Sequence, residues 1–160
     1  MALTIHTNLG DIKIELFCKE CHDACYNFLA LCASGFYNGL FFHRIIPNFL
    51  IQAGDNSKKG NGGESATGSP IPVQNTSNFN EPGILAYAEQ NEVRSQFFIT
   101  LGPQPQLNDK YCGFGHVIYG MNVVQTISRS AILEDFCPLM PIRITHITIH
   151  YNPIAEESSL

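Results

Sequence analysis

The sequence predicts a mainly β fold, a barrel or sandwich in which each of two helices plugs an open end or covers an edge. Three observations carry this: both ends of the chain alternate apolar with polar residues, five further apolar stretches are of strand length, and helical spacing occurs in two places. With 160 residues, one core can bury most of the apolar surface without disulfides or metal.

Leu3 and Ile5 alternate with Thr4 and His6; after a turn at Gly10, Ile12, Ile14 and Leu16 alternate with Lys13 and Glu15. A hairpin with one buried face follows. From Asp23 the period lengthens, Cys25, Phe28, Leu29 and Cys32 fall at helical spacing, and Ser34-Gly35 stops the helix. Stretches 40–43, 49–53, 84–88, 97–101 and 114–119, separated by Gly, Pro or Asn clusters, read as strands. Val123, Val124 and Ile127 predict a short helix over 121–128. The last strand, 142–150, switches its apolar parity between Ile144 and Ile147, and a bulge near Thr145 would restore the inward face.

Segment 54–82 breaks the pattern, being rich in Gly, Ser, Asn and Pro; so long a loop inside one domain points to function. No repeat or second domain is found. Residues 1–153 are read as one domain and 154–160 as a flexible tail.

Nine Lys and Arg against fourteen Asp and Glu leave a charge of −5 and a pI of about 5.6. This suits neither nucleic acid nor anionic membranes as direct partners. The opening residues turn polar by Asn8, and no apolar run reaches the about 20 residues that span a bilayer, so a soluble cytoplasmic or nuclear protein, and a monomer, is expected. Its six cysteines are then expected to be reduced and mostly buried, and the sequon Asn75-Thr76-Ser77 unused.

Cys18-Lys19-Glu20-Cys21-His22 has the spacing of a haem attachment motif, and Cys25 adds a further soft ligand. Short matches of this kind are commonly accidental, and covalent haem belongs to exported proteins, so no metal and no cofactor is expected. Gly60-Asn61-Gly62-Gly63 lacks the spacing of a dinucleotide site, and the sequence has no nucleophile elbow, phosphate-binding loop or zinc-protease helix motif. His6, His146 and His150 lie on strand faces, where a solvated or hydrogen-bonded role is the default, and His43 reads as a structural hydrogen bonder.

One stretch stands apart, Phe41-Phe42-His43-Arg44-Ile45-Ile46-Pro47-Asn48-Phe49-Leu50-Ile51-Gln52-Ala53-Gly54-Asp55. A single cation lies among large apolar groups. If strands 40–44 and 49–53 are antiparallel neighbours, Arg44, Phe49 and Gln52 can project from one face, although an arginine on an apolar floor is usually half of a buried ion pair.

Together with Gly10-Asp11-Ile12-Lys13-Ile14-Glu15-Leu16-Phe17, Asn27-Phe28-Leu29-Ala30-Leu31-Cys32, Gly35-Phe36-Tyr37-Asn38-Gly39, Pro82-Gly83-Ile84-Leu85, Ser95-Gln96-Phe97-Phe98 and Phe114-Gly115-His116-Val117, this stretch resembles the cyclophilins, from Leu3 to Pro153. The resemblance implies an eight-stranded antiparallel closed barrel capped by two helices, and a peptidyl-prolyl cis/trans isomerase acting on proline-containing peptides and proteins. It implies a catalytic set of Arg44, Gln52 and Phe49, in which the Arg44 guanidinium supports the prolyl nitrogen of the twisted amide. Phe49, Leu50, Phe98 and Leu107 match the apolar pocket for the proline ring; Gln96 and Ala88 line the adjoining groove, and Gly60 lies in the loop opposite.

Several positions depart from the family's pattern. Glu89 replaces a common asparagine in a shortened 89–94 loop, which should disfavour acidic peptides. At the rim Gln106 replaces the usual tryptophan, which implies weak cyclosporin binding, and Tyr111 replaces the usual histidine. With Gln104-Pro105 and Leu107, Tyr111 is similar to a divergent, spliceosome-associated branch, which implies spliceosomal proteins as partners. The competing reading is a module that holds proline segments in an assembly with little or no turnover; a small-ligand barrel is a remoter third, since Ile, Leu and Phe would fill its interior.

Overall fold

In the computed structural model, which describes residues 1–57 and 62–150, the predicted hairpin pairs β1 (Ala2–Thr7) with β2 (Gly10–Leu16). Its register places Ile5 opposite Ile12 and Leu3 opposite Ile14, all four fully buried, so the alternation in the sequence becomes one inward face. Helix α1 (His22–Ala33) turns Ala24, Cys25, Phe28, Leu31 and Cys32 into the core. It ends in a Schellman motif: Gly35, at φ 77°, donates to Cys32 O at 3.1 Å, and Phe36 donates to Leu31 O at 3.1 Å.

The remaining long strands are β3 (Arg44–Ile46), β4 (Leu50–Ala53), β6 (Ile84–Tyr87), β8 (Phe97–Thr100), β9 (Gly113–Tyr119) and β10 (Ile144–His150). Helix α2 (Met121–Ser128) buries Val124 and Ile127. A second, two-stranded sheet pairs β5 (Ile71–Pro72) with β7 (Glu92–Val93), elements too short to show any period in sequence.

The eight long strands order as β10-β1-β2-β9-β6-β8-β4-β3, all antiparallel. This sheet is open and strongly curled, which corrects the closed barrel implied by the resemblance. The seam lies between β3 and β10. There the segment 40–43, expected as strand, makes with Gly39 only isolated contacts: Gly39 donates to Ile144 O at 2.7 Å, Ile144 to Leu40 O at 2.8 Å, Phe42 to Ile142 O at 2.9 Å, and Phe41 forms a single bridge with Arg143. The outer edge of β3 is covered instead by the 131–139 loop, where Ile45 donates to Phe136 O at 2.8 Å.

The bulge expected near Thr145 is present. Thr7 pairs with Ile144 and His6 with His146, leaving Thr145 as the extra residue, its hydroxyl donating to His6 O at 3.0 Å.

Strands β4, β6 and β8 are buried at every position. Ile51, Ile99 and Leu85, paired across these strands, face the main core with Phe28, Phe97 and Phe114. Leu50, Phe98, Ala86 and Ile84 alternate with them and belong to a second apolar cluster, completed by Phe79 and Leu107. That second cluster positions the site. Among the described residues no helix is long and apolar enough to cross a membrane.

Candidate active site

The cross-strand register assembles the site. Arg44 lies opposite Gln52, Gln52 opposite Phe98, and Phe98 opposite Ala86, one row across β3, β4, β8 and β6. Directly opposed residues in antiparallel ladders share a face. A tight turn joins the first two strands: Pro47 sits at its second position, Asn48 takes φ 64° at its third, and Phe49 donates to Ile46 O at 3.0 Å. This turn delivers half-buried Phe49 beside Leu50 onto the second cluster.

Phe98 floors the apolar basin. Its ring meets Tyr111 edge-on at 5.6 Å between centroids and lies 6.4 Å from Phe79. Phe79 is clamped through its backbone, its N–H donating to Asn108 Oδ1 at 2.9 Å while its carbonyl accepts from Gln104 N at 2.7 Å. The same clamp holds the short turn Pro105–Leu107 that carries buried Leu107.

Arg44 is exposed at the end of the row. The ion pairs among the described residues are His6–Asp11, His22–Asp23 and His116–Glu15, so the buried ion pair considered from sequence is not what holds this guanidinium. Gln52, buried, donates through Nε2 to Gln96 Oε1 at 3.0 Å, and Gln96 Nε2 donates to Gly62 O at 2.6 Å. These amides are fixed before any ligand arrives. Ala88 is half-buried beside them, its N–H donating to Gln96 O at 2.9 Å.

His43 precedes Arg44 in the chain and is a hydrogen bonder as expected, toward the Phe41 backbone and the Gln96 side chain, while its Nδ1 is buried without a partner among the described residues. Burial lowers its pKa, with Asp55 the largest opposing influence.

Three rim residues behave individually. Glu89 folds back, its Oε1 accepting the Arg94 N–H at 3.1 Å, which caps the shortened loop. Gln106 is exposed and donates to Gln104 Oε1 at 2.6 Å. Tyr111 is half-buried against Phe98. Gly60 lies outside the described residues, as do the predicted tail and the C-terminal edge of the predicted domain.

Phe79 and Ala86 belong to the basin and were missed in sequence. Phe79 is the only aromatic residue of the polar stretch 54–82, a signal that could have marked it; Ala86 follows only once the register is known.

The arrangement sets an exposed cation and fixed amides beside an apolar basin. Among the described residues no group of three or more His, Cys, Asp or Glu side chains is placed to hold a metal ion. Such a site suits a reaction that needs binding and one oriented donor, such as rotation about an amide bond.

Comparison with known proteins agrees with this chemistry. The family model described as cyclophilin type peptidyl-prolyl cis-trans isomerase matches residues 2–149. Peptidyl-prolyl cis-trans isomerase CYP18-1 of Arabidopsis thaliana is 45% identical, over 97% of this chain and 99% of that protein. The human peptidyl-prolyl cis-trans isomerase-like 3 is 43% identical, over 98% of this chain and 100% of its own length. Among solved structures, a Cryptosporidium parvum cyclophilin type peptidyl-prolyl cis-trans isomerase, crystallised in the presence of the dipeptide Ala-Pro, superposes with a TM-score of 0.90 at 40% identity, over 95% of this chain and 100% of that one. The row from Arg44 to Ala86 and its apolar basin thus sit on a known scaffold, and the chain belongs to the cyclophilin-type peptidyl-prolyl cis-trans isomerase family.

Proposed function

We propose that the row Arg44–Gln52–Phe98–Ala86 is the catalytic groove of an X-Pro isomerase, with the proline ring seated between Phe49, Leu50, Phe98 and Leu107. The observation carrying this reading is the register that puts an exposed guanidinium beside the apolar basin. Rotation about the X-Pro bond destroys amide resonance, which sets a barrier of about 18–20 kcal/mol. As the amide twists, the prolyl nitrogen becomes pyramidal and recovers its lone pair. A donor placed there binds the twisted form better than the planar one, which lowers the barrier without a covalent intermediate. Gln52 and Gln96 hold the substrate backbone, Ala88 and Glu89 line the groove, and Gln106 and Tyr111 form its rim.

Cyclophilins act on proline-containing peptides, and the homologues named above are isomerases, which disfavours a binding module without turnover. Exchange NMR on short Ala-Pro peptides with catalytic amounts of protein tests the reading. Exchange broadening of cis and trans resonances is expected from the wild type, and binding without exchange would replace isomerisation by simple capture.

Finer assignments belong to the same proposal. Tyr111, Gln104-Pro105 and Leu107 support the spliceosome-associated branch and spliceosomal proteins as substrates or partners. Six thiols, none in a disulfide, suit a reducing compartment, the cytoplasm or the nucleus. A groove built within one chain suits a monomer.

A further inference from the structure

Cys18, Cys21 and Cys25 take no part in the groove, yet the fold gathers them with Cys112 where the start of α1 meets β9. Cys21 Sγ lies 3.7 Å from Gly113 O and Cys25 Sγ 3.4 Å from Phe114 O. Among the influences on each thiol, the largest on Cys21 is Cys112 and the largest on Cys25 is Cys18.

The two pairs differ in access. Cys21 and Cys112 both line a cavity of about 680 Å³, bounded by Phe17 and residues 19–24 on one side and by residues 72–76 and Asn78 on the other, whereas neither Cys18 nor Cys25 lines it. This cavity shares no residue with the groove. Cys21 is partly exposed and Cys112 buried, as are Cys18 and Cys25 in turn, so the cavity and not exposure alone sets the first pair apart.

Within the accessible pair the roles are unequal. Cys21 is the residue just before α1, a 12-residue helix, and its side chain caps none of the helix N–H groups, whose partial positive charge favours a thiolate there. The hydrogen bond from Cys112 lowers the Cys21 pKa, against the opposing effects of burial, Glu20 and Cys18. The same hydrogen bond, together with burial, raises that of Cys112.

We infer that Cys21 is a modification site for peroxides, and that its oxidation is completed by a disulfide to Cys112. The Cys21 thiolate attacks one peroxide oxygen, the O–O bond breaks, and the departing hydroxide takes a proton and leaves as water. Cys21 is then a sulfenic acid, oxidised by two electrons. The Cys112 sulfur attacks the Cys21 sulfur, the S–O bond breaks, and the Cys112 proton leaves with the hydroxyl group as a second water. Overall, two thiols lose two hydrogens and one hydrogen peroxide becomes two waters. The bridge would pin the start of α1 to the residue next to Tyr111, whose ring packs on Phe98 in the groove.

Hydrogen peroxide added to the native full-length chain, followed by alkylation, digestion and mass spectrometry under non-reducing conditions, tests this. A Cys21–Cys112 peptide lighter by two hydrogens is expected, formed at least about tenfold faster than any oxidation of Cys137, which is likewise partly exposed but lies outside the cluster. Cys112→Ser should leave a sulfenic acid at Cys21 that dimedone traps, and Cys21→Ser should leave Cys112 unreactive. The wild-type map decides the matter even if a variant folds poorly. Oxidation of Cys137 at an equal rate, a Cys18–Cys25 bridge in place of the expected one, or a bridge that forms only in denaturant would each overturn the inference.

Discussion

Gln52 stands directly across the β3–β4 ladder from Arg44, and its amide nitrogen is committed to Gln96 Oε1 at 3.0 Å. Gln96 in turn is tied to Gly62 O, so three elements hold one amide plane beside the guanidinium. Gln96→Ala removes both bonds and releases Gln52. A neutral hydrogen bond contributes about 0.5–1.5 kcal/mol, which predicts a roughly two- to tenfold loss in kcat/KM. Because the two side chains act as a unit, Gln52→Ala combined with Gln96→Ala should be little worse than the more damaging single change. Fully additive losses would show that the amides work separately.

Next to this network, His43 should report its burial directly. Burial depresses the imidazole pKa, so the folded protein resists a proton that the unfolded chain accepts near the ordinary value of about 6.5. The associated stability is complete above that value and is lost as pH falls through the lower folded pKa. NMR titration of the ring protons should give a midpoint below 6.5, and His43→Gln should flatten the fall in unfolding midpoint over that acid window. A His43 midpoint at or above the ordinary value would contradict the geometry.

How much of this was visible beforehand varies with the physics of each part. The Thr145 bulge was legible because a parity switch in a strand facing a core has one economical solution. Strands β4, β6 and β8 were legible as apolar runs, but not the second cluster on their other face, because a run buried on both sides has no alternation to read. The segment 40–43 was apolar enough to pass for a strand and instead bridges the open seam, a choice made by distant contacts with 142–144. In the site, Arg44, Gln52 and Phe98 stood out through a family pattern, whereas their common row needed the register. Glu89 was read as a charge beside the groove; its bond to Arg94 N–H, five residues on, gives it a structural role as well.

Gln106 decides the rim. It is exposed on the turn Pro105–Leu107, its Nε2 already donates to Gln104 Oε1, and Gln104 Nε2 reaches Asn48 O at 3.3 Å. A ligand wanting a hydrogen bond there must break that contact and gains no aromatic surface in return. Cyclosporin should therefore bind weakly to the wild type and more tightly to Gln106→Trp. Calorimetry on the two proteins checks this, and equal affinities would remove Gln106 from the explanation.

The guanidinium itself separates catalysis from mere support. Arg44 is exposed and takes part in none of the described ion pairs, so Arg44→Ala leaves no buried charge behind, and stability should change by no more than about 0.5 kcal/mol. The planar amide of the bound peptide has little lone-pair density on nitrogen, so affinity for the ground state should stay nearly constant. The twisted amide loses its donor, a charge-assisted hydrogen bond of about 1.5–3 kcal/mol, which predicts isomerisation slowed very roughly ten- to a hundredfold. The loss should therefore fall on kcat, with KM little altered. Arg44→Lys should not restore the rate, because a compact ammonium cannot present the planar fork at the same reach. Line-shape analysis on an Ala-Pro peptide, with a denaturation curve for each variant, resolves these quantities. A folded Arg44→Ala protein that isomerises as fast as the wild type would show that the guanidinium does not act on the prolyl nitrogen.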